Sequence, residues 1–389
     1  MTGGKAGTRP SLLAVACMPV WHRRDGFSLR AANLLRGLAD EWRITLVAPQ
    51  GGEGDPEEPG ELGVERFVAL SPDAARSSPR WEVDERPFRA AVDTVLANGR
   101  RDAALVWGGA EFAAIGRKDF PPAVLDRIDC MALAAWRQLG LPQPLRLKVR
   151  SLRTLMHQLR NERRYVRAFD SCVVAGPEDA AALRRISGRQ NVHVVPNGVV
   201  IQALRTPADE ATQPTIAFTG VMAYPPNIDA VRHFADDVLP RVRERVPDAR
   251  FVIAGRNPTA EVHELADRPG VDVLGEVPDM SAVLKQAWVA VAPMRTGAGI
   301  KNKVLEAWAV GTPVAMSAAA ANGLSLDATA ETLVTDDSAR MAEIIAALLT
   351  DAGKRRRLGA AAHRLAMAHA WESSAREISR LLHHASRSA

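Results

Sequence analysis

The chain has 389 residues, 47% hydrophobic and 24% charged, with a formal net charge of +5 and a sequence pI near 9.4. That length exceeds one typical core and implies two domains, while the composition excludes a disordered or collagen-like chain. Three widely spaced cysteines (Cys17, Cys130, Cys172) form no CxxC pair, which argues against a structural zinc site or a disulfide framework and for a reducing, cytoplasmic setting.

The first apolar run, residues 12–20, is too short to span a bilayer. A charged loop and an amphipathic helix follow it directly, so residues 11–18 read as a buried strand and not as a signal peptide. Residues 19–28 form a basic loop containing Gly26. The helix 29–40 places Leu34, Leu35 and Leu38 on one face, and strands follow at 43–49, 64–70, 103–107 and 124–128. Strands at 171–174 and 192–195 flank a helix at 177–186, and Pro196-Asn197-Gly198 closes the series. Alternating strands and helices predict an α/β chain with parallel sheets covered on both faces.

Inside this half, the segment 145–169 is a long helix with two stripes. Leu145, Val149, Leu152, Met156 and Leu159 form one. Arg146, Arg150, Arg153, His157, Arg160, Arg164 and Arg167 follow one position later, so the stripes lie side by side. Two readings stand: docking on an anionic membrane surface, or a surface helix whose arginines pair with local acids, although Glu162 is the one acid within it. Nucleic acid is not an expected partner, because aromatic residues make up 5% of the chain and do not interleave with the cations.

The polar stretch 205–214 reads as a linker. Alternation then restarts: strands at 215–219, 250–254 and 271–274, with helices at 228–246, 261–266 and 281–286. Late helices occupy 338–350, 352–369 and 372–383. Between them lies the most informative stretch, 288–323. A buried strand runs into a glycine turn (Gly297, Gly299), then a helix over 302–310, with Arg295, Lys301 and Lys303 around the turn. Glycines, a helix N-terminus and cations are what holds a phosphate, so the stretch is either an anion cradle or a structural turn. Glu306, one turn in, suits sugar hydroxyls. Residues 297–302 begin like a G-x-G-x-x-G fingerprint, but Asn302 replaces the third glycine and the next strand offers no acid, which argues against a nicotinamide or flavin. No cofactor and no metal site is expected.

The sequence GAGIKNKVLEAWAVGTPV resembles the signature of the family 4 glycosyltransferases, in the exopolysaccharide or PEP-CTERM-type branch. FTGVMAYPPNIDAVRHF, RFVIAGRNP and VDVLGEVPDM resemble successive pieces of that family's donor domain, VVPNGV its crossing into the second domain, and AHAWESSAREISRLL its returning C-terminal helices. The resemblance spans nearly all of 11–385. It implies a GT-B fold, two Rossmann-like domains facing across a cleft, with boundaries at 1–207, 208–369 and a C-terminal helix 370–389 packing back on the first.

Carried over, Glu306 matches the glutamate that holds the donor ribose, and the backbone of Gly299, Ile300, Lys301 and Asn302 lies against the pyrophosphate. Gly275 and Val277 match the loop beside the base, Gly220 the turn nearest the phosphates, and Gly26 the glycine loop of the first domain. The family's first glutamate falls at Ala298, and its basic pair after the first donor-domain strand is absent, with Val221 and Asn227 in that neighbourhood. Arg295, Lys301 and Lys303 are the cations available instead, with Arg295, Lys301 and Glu306 expected to act in the transfer step. The family's first-domain histidine has no clear counterpart: Trp107-Gly108-Gly109 and Asp126 to Asp129 occupy the regions where it would fall, and His22, near the glycine loop, reads as a surface histidine. The resemblance implies a retaining hexosyltransferase using a nucleoside-diphosphate sugar donor and a polysaccharide, glycolipid or other small acceptor, sugar or lipid-linked, in the cytoplasm or peripherally on the inner membrane face. The alternatives are a sugar-nucleotide epimerase or a non-catalytic sugar-nucleotide-binding protein.

Overall fold

The computed structural model describes residues 9–20, 26–50, 59–71, 84–139, 145–295 and 301–387. The chain divides into two compact units, residues 1–198 with 371–389, and residues 199–370.

The first unit is built on seven strands: β1 (Ser11–Val15), β2 (Arg43–Pro49), β3 (Val64–Leu70), β4 (Ala103–Trp107), β5 (Ala123–Ile128), β6 (Ser171–Val174) and β7 (Val192–Val194). Helices α1 (Gly26–Leu38), α2 (Glu85–Ala97), α3 (Met131–Leu139), α4 (Leu145–Ala168) and α5 (Pro177–Ser187) connect them. The strand order is β3-β2-β1-β4-β5-β6-β7, every pair parallel, so the winding reverses between β1 and β4. Alternate residues of β1 serve opposite cores: Leu13 and Val15 pack with Phe88 and Val106, and Leu12 and Ala14 with Trp42 and Leu105.

In the second unit, β8 (Thr215–Thr219), β9 (Arg250–Ala254), β10 (Val271–Gly275), β11 (Val289–Ala292) and β12 (Val314–Met316) form a parallel sheet ordered β10-β9-β8-β11-β12. Its helices are α6 (Pro225–His233), α7 (Leu239–Arg245), α8 (Ala260–His263), α9 (Met280–Gln286), α10 (Asn302–Ala309), α11 (Ala318–Ala321), α12 (Ala328–Glu331), α13 (Ser338–Thr350) and α14 (Ala352–Ala368). One apolar cluster joins them, centred on Phe218, Phe234, Phe251 and Trp308, all 0–1% exposed. The last helix, α15 (Trp371–Arg387), returns to the first unit, as the sequence resemblance implies. There Ile378 and Leu382 join the α1 side of the core, and the Trp42 Nε1–H donates to Ser379 Oγ at 2.9 Å.

Three local differences from the sequence reading have plain causes. The helix expected over 228–246 is two helices joined by a wide turn at Phe234–Val238. Pro240 has no N–H to bond and its ring would strike the carbonyl of residue 236, so the ladder widens there. The polar stretch 205–214 is not a free connector: Arg205 donates to the Ala287 carbonyl, and Glu210 accepts from Arg355 at 2.7 Å. The chain instead passes between units at Gly198, where a Cβ would lie 2.6 Å from the Trp371 backbone nitrogen. Helices α2 and α3 add to the elements expected; in α2, Phe88, Ala91, Val92 and Val95 face the core behind an Asp84 cap.

Candidate active site

In the second unit the winding reverses between β8 and β11, the position at which open α/β sheets bind ligands beyond the carboxyl ends of their strands. Two segments meet there: Gly220, which follows β8, and the first turn of α10, which follows β11. The sequence favours this meeting because α10 is strongly two-faced. Val304, Leu305, Ala307 and Trp308 are buried, leaving Asn302 and Glu306 exposed and Lys303 at the margin. The helix is fixed at its far end as well. Gly311 turns at φ +81°, Gly359 of α14 lies so close that a Cβ would be 2.2 Å from the Gly311 carbonyl oxygen, and His363 Nδ1 is 3.0 Å from the Ala309 carbonyl.

Lys303 is the centre of the site. Its ammonium donates to Asn227 Oδ1 at 2.7 Å, lies 3.7 Å from the Phe218 ring centroid and 3.9 Å from Met294 Sδ. Gly220 makes room for it. A Cβ at that position would stand 3.1 Å from Lys303 Nζ and 2.7 Å from Asn227 Nδ2, and its φ of +151° suits glycine. Burial pushes the Lys303 ammonium down to about 7, with Glu306 opposing that shift and Lys301 adding to it. Burial likewise lowers Lys301, which is 9% exposed at the cap of α10. Glu306, in the next turn, is reached by solvent although protein mass surrounds it closely. That surrounding raises its carboxyl above the ordinary value and Lys303 draws it back, and the solvent contact limits the rise.

The strand ends beside Gly220 are drawn tightly together. A Cβ on Gly255 would sit 1.7 Å from the Gly220 carbonyl oxygen, and the Gly255 N–H donates to the Gly275 carbonyl at 2.7 Å. The expected residues Gly220, Gly275, Val277, Lys301, Asn302, Lys303 and Glu306 therefore occupy the carboxyl edge of one sheet. Arg295 is exposed and grips Asp229 of α6 in a fork, with one arm at 2.9 Å, and this holds the Asp229 carboxyl below its ordinary value. Its charge is committed to that pair. Gly299, Ile300 and Ala298, with His22 of the first unit, lie outside the described residues. Asn227, Phe218 and Gly255 were not singled out from sequence as site residues. Their signal was the unusual spacing of Gly220 and Asn227 around two prolines, which periodicity does not read.

In the first unit, Gly26 opens α1 and is exposed. The carboxyl edge of that sheet holds a buried pair, Arg30 Nε to Asp126 Oδ2 at 2.7 Å, with Arg30 also donating to Asn197 Oδ1 at 3.0 Å. Beyond it Ile128 has φ +65°, and the Asp129 N–H bonds the Arg127 carbonyl at 2.7 Å. A β-branched residue in that conformation is strained, and such strain concentrates at functional positions. The tight turn leads into Asp129, which is exposed. Burial of its surroundings and the nearby Asp179 raise its carboxyl, against Arg30. Among the described residues no cluster of histidine, cysteine and acidic side chains is suited to a metal ion.

Residues 213–351 match the family model described as Glycosyl transferases group 1. No curated protein sequence matches the chain significantly. Among solved structures, sucrose-phosphate synthase from Thermosynechococcus elongatus is similar at 18% identity and TM-score 0.68, covering 98% of this chain and 100% of that one. HepE from Anabaena, solved in complex with UDP-glucose, is similar at 14% identity and TM-score 0.63, covering 97% and 100%. A glycosyltransferase from Rickettsia africae is similar at 9% identity and TM-score 0.63, covering 97% and 98%. The chain has the GT-B fold, its second unit carries a group 1 glycosyl transferase domain, and the protein is a glycosyltransferase.

Proposed function

We propose that the protein transfers a sugar, with retention, from a nucleoside-diphosphate sugar to a polysaccharide, glycolipid or other lipid-linked acceptor at the cytoplasmic face of a membrane. The observation that carries the donor half is Lys303: a desolvated amine beside Gly220 and the α10 N-terminus, in salt-bridge contact with no carboxylate among the described residues. A diphosphate is the ligand that such a group favours, because its charge restores the amine to its protonated form. Lys301 and the first N–H groups of α10 extend the same field, and Glu306 accepts from the ribose hydroxyls. Gly275 and Val277 border the base. As the sugar leaves, negative charge builds on the β-phosphate, and fixed lysines with a helix N-terminus stabilise it without reorganising. Arg295 supports this set by holding α6, through Asp229, beside the chain that follows β11.

On the acceptor side, Asp129 at the end of β5 is the group we assign to an acceptor hydroxyl, and the cationic face of α4 to anionic lipid. The donor reading is tested by a thermal-shift screen of UDP, ADP and GDP with their glucose and mannose sugars. One nucleotide stabilising the wild type and failing to stabilise Glu306→Ala is the expected result. Equal stabilisation of both proteins would remove Glu306 from the donor site. Conversion of the donor alone into an isomerised sugar nucleotide would replace transfer by epimerisation.

A further inference from the structure

The sequence places an apolar and a cationic stripe on α4 but does not say whether the apolar stripe is core. The structure divides it. Leu155, Glu162 and Val166 turn inward, whereas Val149, Leu152 and Met156 are 45%, 52% and 46% exposed. At 3.6 residues per turn these three fall within about 60° of one another, a ridge along one outer line of the helix. On the adjoining α3, which packs against α4, Trp136 is 65% exposed, the highest value among the large apolar side chains described.

The exposed charges that α4 itself carries among the described residues have one sign. Lys148, Arg150, Arg153, Arg160, Arg163 and Arg164 are exposed, and none forms a salt bridge with a described residue. The acid within α4 is unavailable to them. Glu162 is fully buried and accepts from the N–H groups of Met131 and Ala132 at 2.6 and 3.3 Å, capping α3, with Arg127 at 3.5 Å. That carboxylate ties α4 to α3 and leaves the outer face uncompensated. Local ion pairing, the second sequence reading of these arginines, is absent among the described residues.

We propose that the α3–α4 face of the first unit is a lipid-docking surface. Its arginines bind anionic headgroups, and Trp136, Leu152 and Met156 enter the interfacial layer between them. This rests on, and deepens, the acceptor half of the proposed function. An exposed apolar ridge framed by unpaired cations, with a tryptophan beside it, matches the layered chemistry of a membrane interface, apolar within and anionic outside. A nucleic-acid groove would carry stacking aromatics among its cations, and here the described exposed aromatic is one tryptophan on the adjoining α3.

The experiment uses the full chain with phosphatidylcholine vesicles, alone or containing one third phosphatidylglycerol. Co-sedimentation with the anionic vesicles, weakened by salt, is expected, each cation contributing about fivefold in affinity. Combined reversal of Arg150, Arg153 and Arg160 to Glu should weaken binding by more than a hundredfold. Leu152→Gln with Met156→Gln should weaken it about tenfold while keeping the salt dependence, and quenching by brominated lipid should be reduced in Trp136→Phe. Wild-type binding that is equal on both vesicle types, or unchanged by the charge reversal, overturns the proposal. So does tighter, salt-sensitive binding of polyuridine RNA. Nucleotide-induced thermal shifts report donor binding separately: their absence in the wild type, with vesicle binding intact, refutes the donor reading and leaves the docking surface standing.

Discussion

Replacing Lys303 by methionine isolates the group on which the donor site turns. The substitution keeps an unbranched apolar stem of nearly the same length but removes the ammonium that donates to Asn227 Oδ1 and lies over the Phe218 ring. A charge-assisted contact to a diphosphate is worth about 1.5–3 kcal/mol, so the Kd for UDP should rise about 10- to 150-fold at pH 7. The pH dependence is more telling. With burial holding the amine at about 7, the unliganded protein is only partly protonated near neutrality, and the protonated form is the one that attracts the phosphate. Wild-type affinity should fall above pH 7 by up to about tenfold per unit until the ammonium's contribution is lost, and then level off, whereas Lys303→Met should lack this dependence.

Stability should move the opposite way. The folded pKa lies below the unfolded value near 10.4, so the unfolded chain binds more protons between those limits, and stability rises with pH there. From pH 6.5 to 9 the wild type should gain up to about 2–3 kcal/mol relative to Lys303→Met. The Asn227 Oδ1 left without the ammonium in the variant costs about 1–3 kcal/mol at either pH. Isothermal titration with UDP and urea unfolding across this pH range measure both quantities. If Lys303→Met binds UDP with the wild-type Kd and the wild-type pH slope, the amine does not face the phosphate and the reasoning fails.

Other consequences follow from the same geometry. Glu306→Gln should keep the fold, since solvent reaches the side chain, yet raise the donor Kd by roughly tenfold, as one charge-assisted pair of ribose bonds is weakened; titration with UDP against free ribose 5-phosphate checks it. Gly220→Ala should displace both Lys303 and Asn227, lowering transfer more than stability, read as donor turnover beside a melting curve. Gly255→Ala, whose Cβ would overlap the Gly220 carbonyl, should cost several kcal/mol and appear as a lowered urea midpoint. Asp129→Asn should raise the acceptor KM or lower kcat and flatten the acidic limb of the pH–rate profile, while leaving UDP binding intact.

Much of the fold is written locally. Runs such as LLAVA, AALVW and RFVIA are apolar on both faces, and a strand buried on both faces has no other use for them, so β1, β4 and β9 are legible without a partner in view. The glycine turn and cations before α10 are legible for the same reason, because a helix N-terminus is a local object. Arg295 shows the limit of that reading. Sequence offers three equivalent cations, whereas packing commits one to Asp229 and leaves the two lysines in a desolvated setting.

The α4 helix marks the same division. Its period and its two stripes follow from the residue order, but which apolar residues are core depends on where α3 lies and on Glu162 capping it. For Lys303 the sequence fixes a cation in the first turn of a helix and nothing of its charge state. That state is decided by Asn227, 76 residues away, by the Phe218 ring and by the absence of a side chain at Gly220. Helix and strand propensities act between neighbours along the chain, whereas a pKa answers to whatever the fold brings within a few ångströms.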